Sequence, residues 1–274
     1  MFAQSQQSEM IPMKKRIIKY AASLGIEKCG IAPYNEGCAI VCLFPYFCGN
    51  EKGNLSLYAR GEDYHKIIFS KLSKLHDYIN GISPLGAGEF FCDTGPHIDR
   101  RLAFLAGLGF FGKNQMLIND DFGSYFFIGW IECSLKLECD SPIKKSCLGC
   151  GECVKSCPGG ALSNGFDISR CASHISQKKG ELSKEEEEIL KKTPFVFGCD
   201  ICQQVCPHNS GTAKAMAEFK REIKTSLSLS EIEALSNREF IKKYKNRAFS
   251  WRGKSVLIRN IKLKSDTVDG IERK

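Results

Sequence analysis

Between residues 11 and 24 the apolar side chains Met13, Ile17, Ala21 and Leu24 recur every three or four positions, one face of a helix, and Gly25 is a natural stop. Strand-like segments follow at 29–32 and 38–44. The second is a continuous apolar run, the pattern of a strand covered on both faces. Residues 64–79 carry another helical stripe, made by Ile67, Ile68, Leu72, Leu75 and Ile79. A short strand at 89–92 leads into the loop Asp93-Thr94-Gly95-Pro96, residues 98–106 read as a helix, and the aromatic, β-branched segment 125–131 reads as a further strand. These elements give residues 1–142 the character of an α/β domain.

From residue 146 to residue 207 cysteine spacing replaces hydrophobic periodicity, interrupted by a charged helix at 181–192 whose four glutamates, 185–188, form a solvated face. Beyond residue 212 two short helices are expected, because Ser230 with Glu233 and Ser236 with Glu239 each fit the capping-box pattern. The expected organisation is therefore 1–142, 143–212 and 213–274, with no internal repeat apart from two cysteine groups.

Composition sharpens this picture in two places. The 274 residues include 15 cysteines, an odd number and clustered, in a chain without an apolar run near the roughly 20 residues that span a bilayer. The N-terminal stretch lacks the apolar segment and small-residue cleavage site of a secretory signal, so a cytoplasmic protein without a membrane partner is expected. In that setting ligation of a metal or cluster is favoured over disulfides. The net charge of +8 is not spread evenly: residues 1–212 hold 23 basic and 23 acidic residues, and residues 213–274 hold 16 and 8. The whole excess sits in the tail, a candidate surface for a polyanion.

The first cysteine group, Cys147-x2-Cys150-x2-Cys153-x3-Cys157-Pro158, has the bacterial ferredoxin spacing, in which three thiolates wrap one cluster and the fourth reaches another. The second group, Cys199-x2-Cys202-x3-Cys206-Pro207, lacks one member, and Cys171 supplies it from upstream. Crossing gives one [4Fe–4S] cluster to Cys147, Cys150, Cys153 and Cys206, and the other to Cys157, Cys171, Cys199 and Cys202. Cys-x2-Cys pairs also build structural zinc sites, but zinc does not explain the third cysteine at x2 or the two Cys-Pro endings. The other seven (Cys29, Cys38, Cys42, Cys48, Cys92, Cys133 and Cys139) have no ligand spacing and read as small hydrophobes.

Electrons passed by two clusters need a destination. Neither a Gly-x-Gly-x-x-Gly loop after a strand nor a phosphate-binding Walker loop is visible. Asp93 directly follows an apolar strand, where ligands of α/β sheets collect, although a carboxylate there is also a common helix cap. His65 at a helix start is open to the same two readings.

The run DTGPHIDRRLAFLAGLGFFGKNQMLIN, then GSYFFIGWIE, the two cysteine groups ending GCDICQQVCPHN, and SNREFIKKYKNRAFSWRGKSVLIRN near the C-terminus together resemble the epoxyqueuosine reductase family, from about residue 14 to residue 264. The resemblance implies an α/β (α+β) cobalamin-binding domain like that of reductive dehalogenases, then a bacterial-type double-cluster ferredoxin domain and a short basic helical tail. It implies reduction of epoxyqueuosine to queuosine in tRNA, with Asp93 as proton donor and a pKa raised by burial. Arg100 matches an arginine near the cofactor. Arg60, Tyr64, His65, Lys113 and Asn114 match the strings around corrin and substrate.

In the tail, Arg252, Lys254 and Arg259 are candidate tRNA contacts, beside Lys242, Lys243, Lys245 and Arg247. The sequence departs from the family in ending where a helical-repeat domain usually continues, and in the string RCASHISQKK around Cys171. A short-form, monomeric reductase is therefore expected, supplied by an external one-electron donor such as flavodoxin or ferredoxin. Two other readings use the same domains: a corrinoid reductase of a small molecule, such as an organohalide, and a non-catalytic iron–sulfur electron carrier.

Overall fold

The computed structural model describes residues 12–96, 99–212 and 214–271, with side chains to residue 265. In chain order its regular elements are α1 (Met13–Ser23), β1 (Lys28–Tyr34), β2 (Gly37–Pro45), α2 (Tyr64–Ile82), β3 (Ala87–Phe91), α3 (Asp99–Leu105), β4 (Phe110–Phe111), β5 (Leu117–Ile118) and β6 (Phe126–Cys133). Then come α4 (Glu152–Lys155), α5 (Ala172–Ser176), α6 (Lys184–Lys191), α7 (Ile201–Gln204), α8 (Leu229–Glu233), α9 (Asn237–Tyr244) and α10 (Lys254–Ile271), with short 3-10 turns between them. No described helix is long and apolar enough to cross a membrane.

Two compact units form, and neither is continuous in sequence. The first comprises Met1–Leu43, Phe69–Leu108 and Ile128–Pro142; the second comprises Phe44–Ile68, Gly109–Phe127 and Ile143–Lys274. Segments 44–68 and 109–127, grouped with the N-terminal domain by their place in the sequence, thus pack with the cysteine-rich region.

The four-stranded sheet has the order β1-β2-β6-β3, with β1 antiparallel to β2 and β3 antiparallel to β6. The apolar run of β2 is buried from Cys38 onward, as its composition requires. In the first unit α1 buries Ile17 and Ala21, and its Lys14 reaches Asp140 (2.7 Å). The second oxygen of Asp140 accepts from the N–H of Ile31 on β1 (2.8 Å), so one carboxylate ties helix, strand and return segment. Gly30 is a packing requirement, since a Cβ there would lie 2.4 Å from the carbonyl oxygen of Ala106, just past α3.

In the second unit a small apolar core of Ala172, Ile175, Ile189 and Leu190 brings α5 and α6 together, with Cys199 and Leu263 packed against it. The buried Asn260 of α10 donates to Ser176 O (2.7 Å) and Val196 O (2.8 Å), which fastens the last helix to this core. Ser236 and Glu239 form the expected reciprocal cap at α9. The other expected box does not form: α8 starts two residues earlier, capped by Ser228 accepting from Glu231 N–H, and in that register Ile232 is buried.

Glu231 is the hub of the tail. It accepts from Tyr244 O–H (2.5 Å), Lys224 (3.0 Å) and Lys243 (3.2 Å). Burial works against its charge, but these bonds outweigh that cost and hold the carboxyl down to about 2. Stability from a depressed acid is complete above its unfolded value and is lost as pH falls toward the folded one. Glu231→Gln is therefore expected to lower stability by about 1–2 kcal/mol at pH 7, after discounting for solvent screening. The melting-temperature gap between wild type and variant should narrow from pH 7 to pH 4, and a constant gap would contradict this account.

Candidate functional site

The cysteine loops are shaped by glycine. Gly149 and Gly151 adopt φ of 70° and 80°, which bends the Cys147–Cys153 stretch so that Gly149 N–H points at Cys147 Sγ (3.5 Å) and α4 begins directly after it. The thiols fall into two sets of four. Burial raises Cys153, and the charges that add to this are Cys206, Cys147 and Cys150; burial likewise raises Cys206, with Cys147 and Cys150 beside it. In the second set burial pushes Cys199 up to about 12, opposed by a bond from Ile201 N–H and aided by Asp200, Cys171 and Cys157. Cys202 is raised by burial, then by Cys199, Cys171 and Cys157. Cys206 thus lies near thiols of the first sequence group, and Cys157 and Cys171 lie near Cys199 and Cys202.

The two sets differ in depth. The first lines a small cavity together with Lys113, Asn114 and His208, and Cys150 is exposed. Lys113 Nζ donates to Gly149 O (3.5 Å) and Asn114 Nδ2 to Cys202 O (3.4 Å), so both sit on cysteine loops. Among the described residues no three of His, Cys, Asp or Glu are placed to hold a single metal ion. A cubane of four irons spaces its thiolates more widely than one ion about 2.3 Å from each sulfur does, so thiols grouped in fours without a single-ion geometry suit clusters. Of the other cysteines, Cys29 and Cys42 face each other across β1 and β2 with sulfurs 3.8 Å apart, and Cys38 adjoins Cys133.

Sequence reasoning missed Asp200, between Cys199 and Cys202. It is completely buried and accepts from Ser56 O–H (2.5 Å) and Leu57 N–H (2.7 Å). Burial raises its carboxyl; those bonds and the nearby Arg60 partly offset this. Beside it Asn209 accepts from Ser124 N–H (2.7 Å) and donates to Gln203 O (2.7 Å). Position alone gave no signal, since Glu152, in the same place between Cys150 and Cys153, is exposed.

The segment that Asp200 anchors forms one wall of a cavity of about 310 Å³, lined among others by Tyr46, Cys48, Tyr58, Phe127, Phe219 and Ile223. Arg60 also lines it, but its guanidinium is committed to Leu55 O (2.8 Å) and Glu51 O (2.7 Å), which makes it a clamp on the wall. Tyr64 stacks on Phe127 (3.9 Å between centroids) and on His65 (4.2 Å), while His65 Nδ1–H donates to Asp63 (2.8 Å). Aromatic walls with polar groups converging on them, here Glu51, Glu62 and Thr225, are a usual form of a cofactor or ligand site.

Asp93 and Arg100 belong to the first unit. Asp93 follows β3 at φ +60°, and its side chain is exposed, contrary to the burial expected of it. The half-buried carboxylate of this loop is Asp99, at the start of α3, which accepts from Asp93 N–H (2.8 Å) and from Trp130 Nε1–H (2.8 Å). Burial raises Asp99 against those two bonds and the charge of Arg100.

The three basic candidates in the tail divide. The Arg259 guanidinium donates to Lys178 O (2.8 Å) and Gly180 O (2.5 Å), and Lys254 Nζ donates to Leu235 O, so both serve the fold. Arg252 instead lies over Trp251 (3.5 Å), a ring that is 60% exposed. Arg259→Ala is expected to lower thermal stability, at a cost of about 0.5–1.5 kcal/mol, because two exposed backbone carbonyls lose a charged donor. An unchanged melting temperature would return Arg259 to the surface.

Comparison with known proteins places this geometry. Residues 37–94 match the family model "Epoxyqueuosine reductase QueG, DUF1730", and residues 146–209 match "4Fe-4S double cluster binding domain". An epoxyqueuosine reductase of Lactococcus garvieae is 38% identical over 221 residues, 77% of this chain and 60% of its own length. That of Bacillus subtilis is 36% identical over 205 residues, 73% of this chain and 52% of its own length. The chain thus spans little more than half of these curated relatives. Among solved structures, epoxyqueuosine reductase with an epoxyqueuosine-modified tRNA-Tyr stem loop aligns over 92% of this chain and 80% of its own, with 28% identity and a TM-score of 0.82. The Bacillus subtilis enzyme, with its aspartate-bearing catalytic loop swung out of the active site, aligns with 27% identity and a TM-score of 0.78.

Proposed function

We propose that this chain, which belongs to the epoxyqueuosine reductase family, reduces the epoxide of epoxyqueuosine in tRNA to the alkene of queuosine. The observation that carries the reading is the alignment, over 92% of the chain, with a relative solved with its modified tRNA stem loop. Opening the epoxide to an alkene consumes two electrons and two protons and releases water. The thiolates Cys147, Cys150, Cys153 and Cys206 hold one [4Fe–4S] cluster, and Cys157, Cys171, Cys199 and Cys202 hold the other; their division into two sets of four supports this. When bound, the clusters supply electrons singly, and a corrinoid supplies the low-potential chemistry at the epoxide-bearing ring. The donor to the clusters is an external one-electron carrier.

The side chains supply position and protons. The Asp93 carboxyl gives its proton to the departing oxygen, and Arg100 on the following helix balances charge beside it. The aromatic cavity bounded by Tyr58, Phe127 and Phe219 is the part of the second unit suited to a flat macrocycle, with Tyr64 and His65 stacked behind Phe127. On the nucleic-acid side, the exposed Trp251 with Arg252 over it is a surface on which a base can stack, and the exposed Lys242, Lys243 and Lys245 of the tail supply phosphate contacts.

Two measurements test this. Anaerobically reduced protein with added cobalamin, incubated with epoxyqueuosine-containing tRNA, is expected to yield queuosine on nucleoside analysis. Its absence, with clusters and corrinoid both loaded, overturns the reading. Trp251→Ala together with Arg252→Ala is expected to weaken tRNA binding about tenfold or more and to flatten its salt dependence; unchanged affinity places the tRNA elsewhere.

A further inference from the structure

We infer that Asp99 is the positioning residue of the Asp93 loop: its carboxylate pins the loop backbone to the indole of Trp130 and thereby fixes where the Asp93 carboxyl stands. This deepens the function proposed above and rests on Asp93 being the proton donor.

The argument starts at the turn. Thr94 N–H donates to Cys92 O (2.7 Å) across a single residue, and that residue is Asp93 at φ +60°. This is a γ-turn in its positive-φ form, which is rare and strained and persists only where its surroundings hold it. Two holds are visible. Asp99 Oδ2 accepts the N–H of Asp93 itself (2.8 Å), and its other oxygen accepts Trp130 Nε1–H (2.8 Å). Gly95 lies flat on the same platform, since a Cβ there would stand 3.0 Å from Phe91 and 3.2 Å from the Trp130 ring. The platform is rigid: Trp130 is completely buried, with Phe91 at 4.5 Å and Tyr34 at 5.1 Å between ring centroids. Asp93 therefore sits between two fixed points, and the bond from Asp99 is the one that holds its own peptide unit.

A carboxylate alone suits this place, because both of its oxygens accept. The amide of Asn offers one oxygen and one NH2 group, so one of the two N–H donors loses its partner with almost no change of shape. Asp99→Asn is expected to speed hydrogen exchange in residues 92–96 about tenfold or more while the sheet keeps its protection. In the reductase assay kcat is expected to fall about tenfold or more with KM for tRNA unchanged. In an Asp93→Asn background the same change should add no further loss, because both act in one step. Unchanged exchange in 92–96, a raised KM with unchanged kcat, or additive losses would each overturn the inference. If the wild-type protein has no activity on tRNA, exchange alone decides whether Asp99 holds the loop, and the fault lies in the assigned reaction. If Asp99→Asn does not fold, the wild-type Asp93 amide is expected to exchange about tenfold or more below the rate of an unprotected amide of the same local sequence; exchange at the unprotected rate overturns the anchor.

Discussion

Asp93→Asn is expected to keep both clusters and full corrinoid binding while losing roughly 100-fold or more in the rate of queuosine formation. The substitution is a clean one. Asn is isosteric with Asp and is among the few residues that tolerate the left-handed region, so the φ of +60° at this position is preserved. What it removes is the transferable proton. An epoxide oxygen leaving without one departs as an alkoxide, and general-acid assistance of this kind contributes about 10²–10⁴ in rate. Single-turnover kinetics with pre-reduced protein isolates the step from electron supply. Full activity in Asp93→Asn would remove the proton-donor role and leave the loop as structure. The exposure of Asp93 agrees with a group that meets its substrate on binding, because an acid aimed at a tRNA nucleotide has to be reachable from solvent.

The second large effect is at the clusters. Cys202→Ala is expected to cost about half of the bound iron and all turnover, because a cubane with three protein ligands in a buried setting is not retained. Cys206→Ala is expected to remove the other cluster, although only three residues separate the two positions. The sharper form of the prediction is pairwise. Cys153→Ala combined with Cys206→Ala should lose no more iron than either alone, whereas Cys153→Ala with Cys202→Ala should lose nearly all of it. Iron analysis and the electron paramagnetic resonance spectrum of the reduced protein read both results. Loss that follows the sequence groups, with Cys153 and Cys157 acting together, would overturn the crossed assignment. Cys42→Ser is a suitable control, since its sulfur lies against Cys29 in the first unit.

The contrast between these residues shows what the sequence made legible. Cluster ligands were readable because their chemistry is local: short Cys-x2-Cys loops constrain the chain whatever surrounds it. The continuous apolar run of β2 and the cap at Ser236 were readable for the same reason. Residues whose part depends on burial were not. Arg60 and Arg259 resemble site residues in sequence, and only the fold shows their guanidinium groups spent on backbone carbonyls. Asp99 and Asp200 resemble ordinary surface acids, yet each accepts two hydrogen bonds, Asp99 half-buried and Asp200 fully buried. The interleaving of the two units was equally invisible, because periodicity reports which face of an element is covered and not which distant segment covers it.

That interleaving bears on how the protein is made. Leu55 N–H pairs with Thr225 O (3.0 Å), Ser56 N–H with Phe197 O (3.0 Å), and Val196 N–H with Asn54 O (2.7 Å). On the ribosome, residues 54–56 emerge about 140 residues before the first of these partners, at several residues per second. The cluster-bearing unit therefore completes its fold only once most of the chain has been synthesised. Chains truncated before residue 225 are therefore expected to leave residues 54–56 without the last of these partners and to be cut there by protease faster than the full chain.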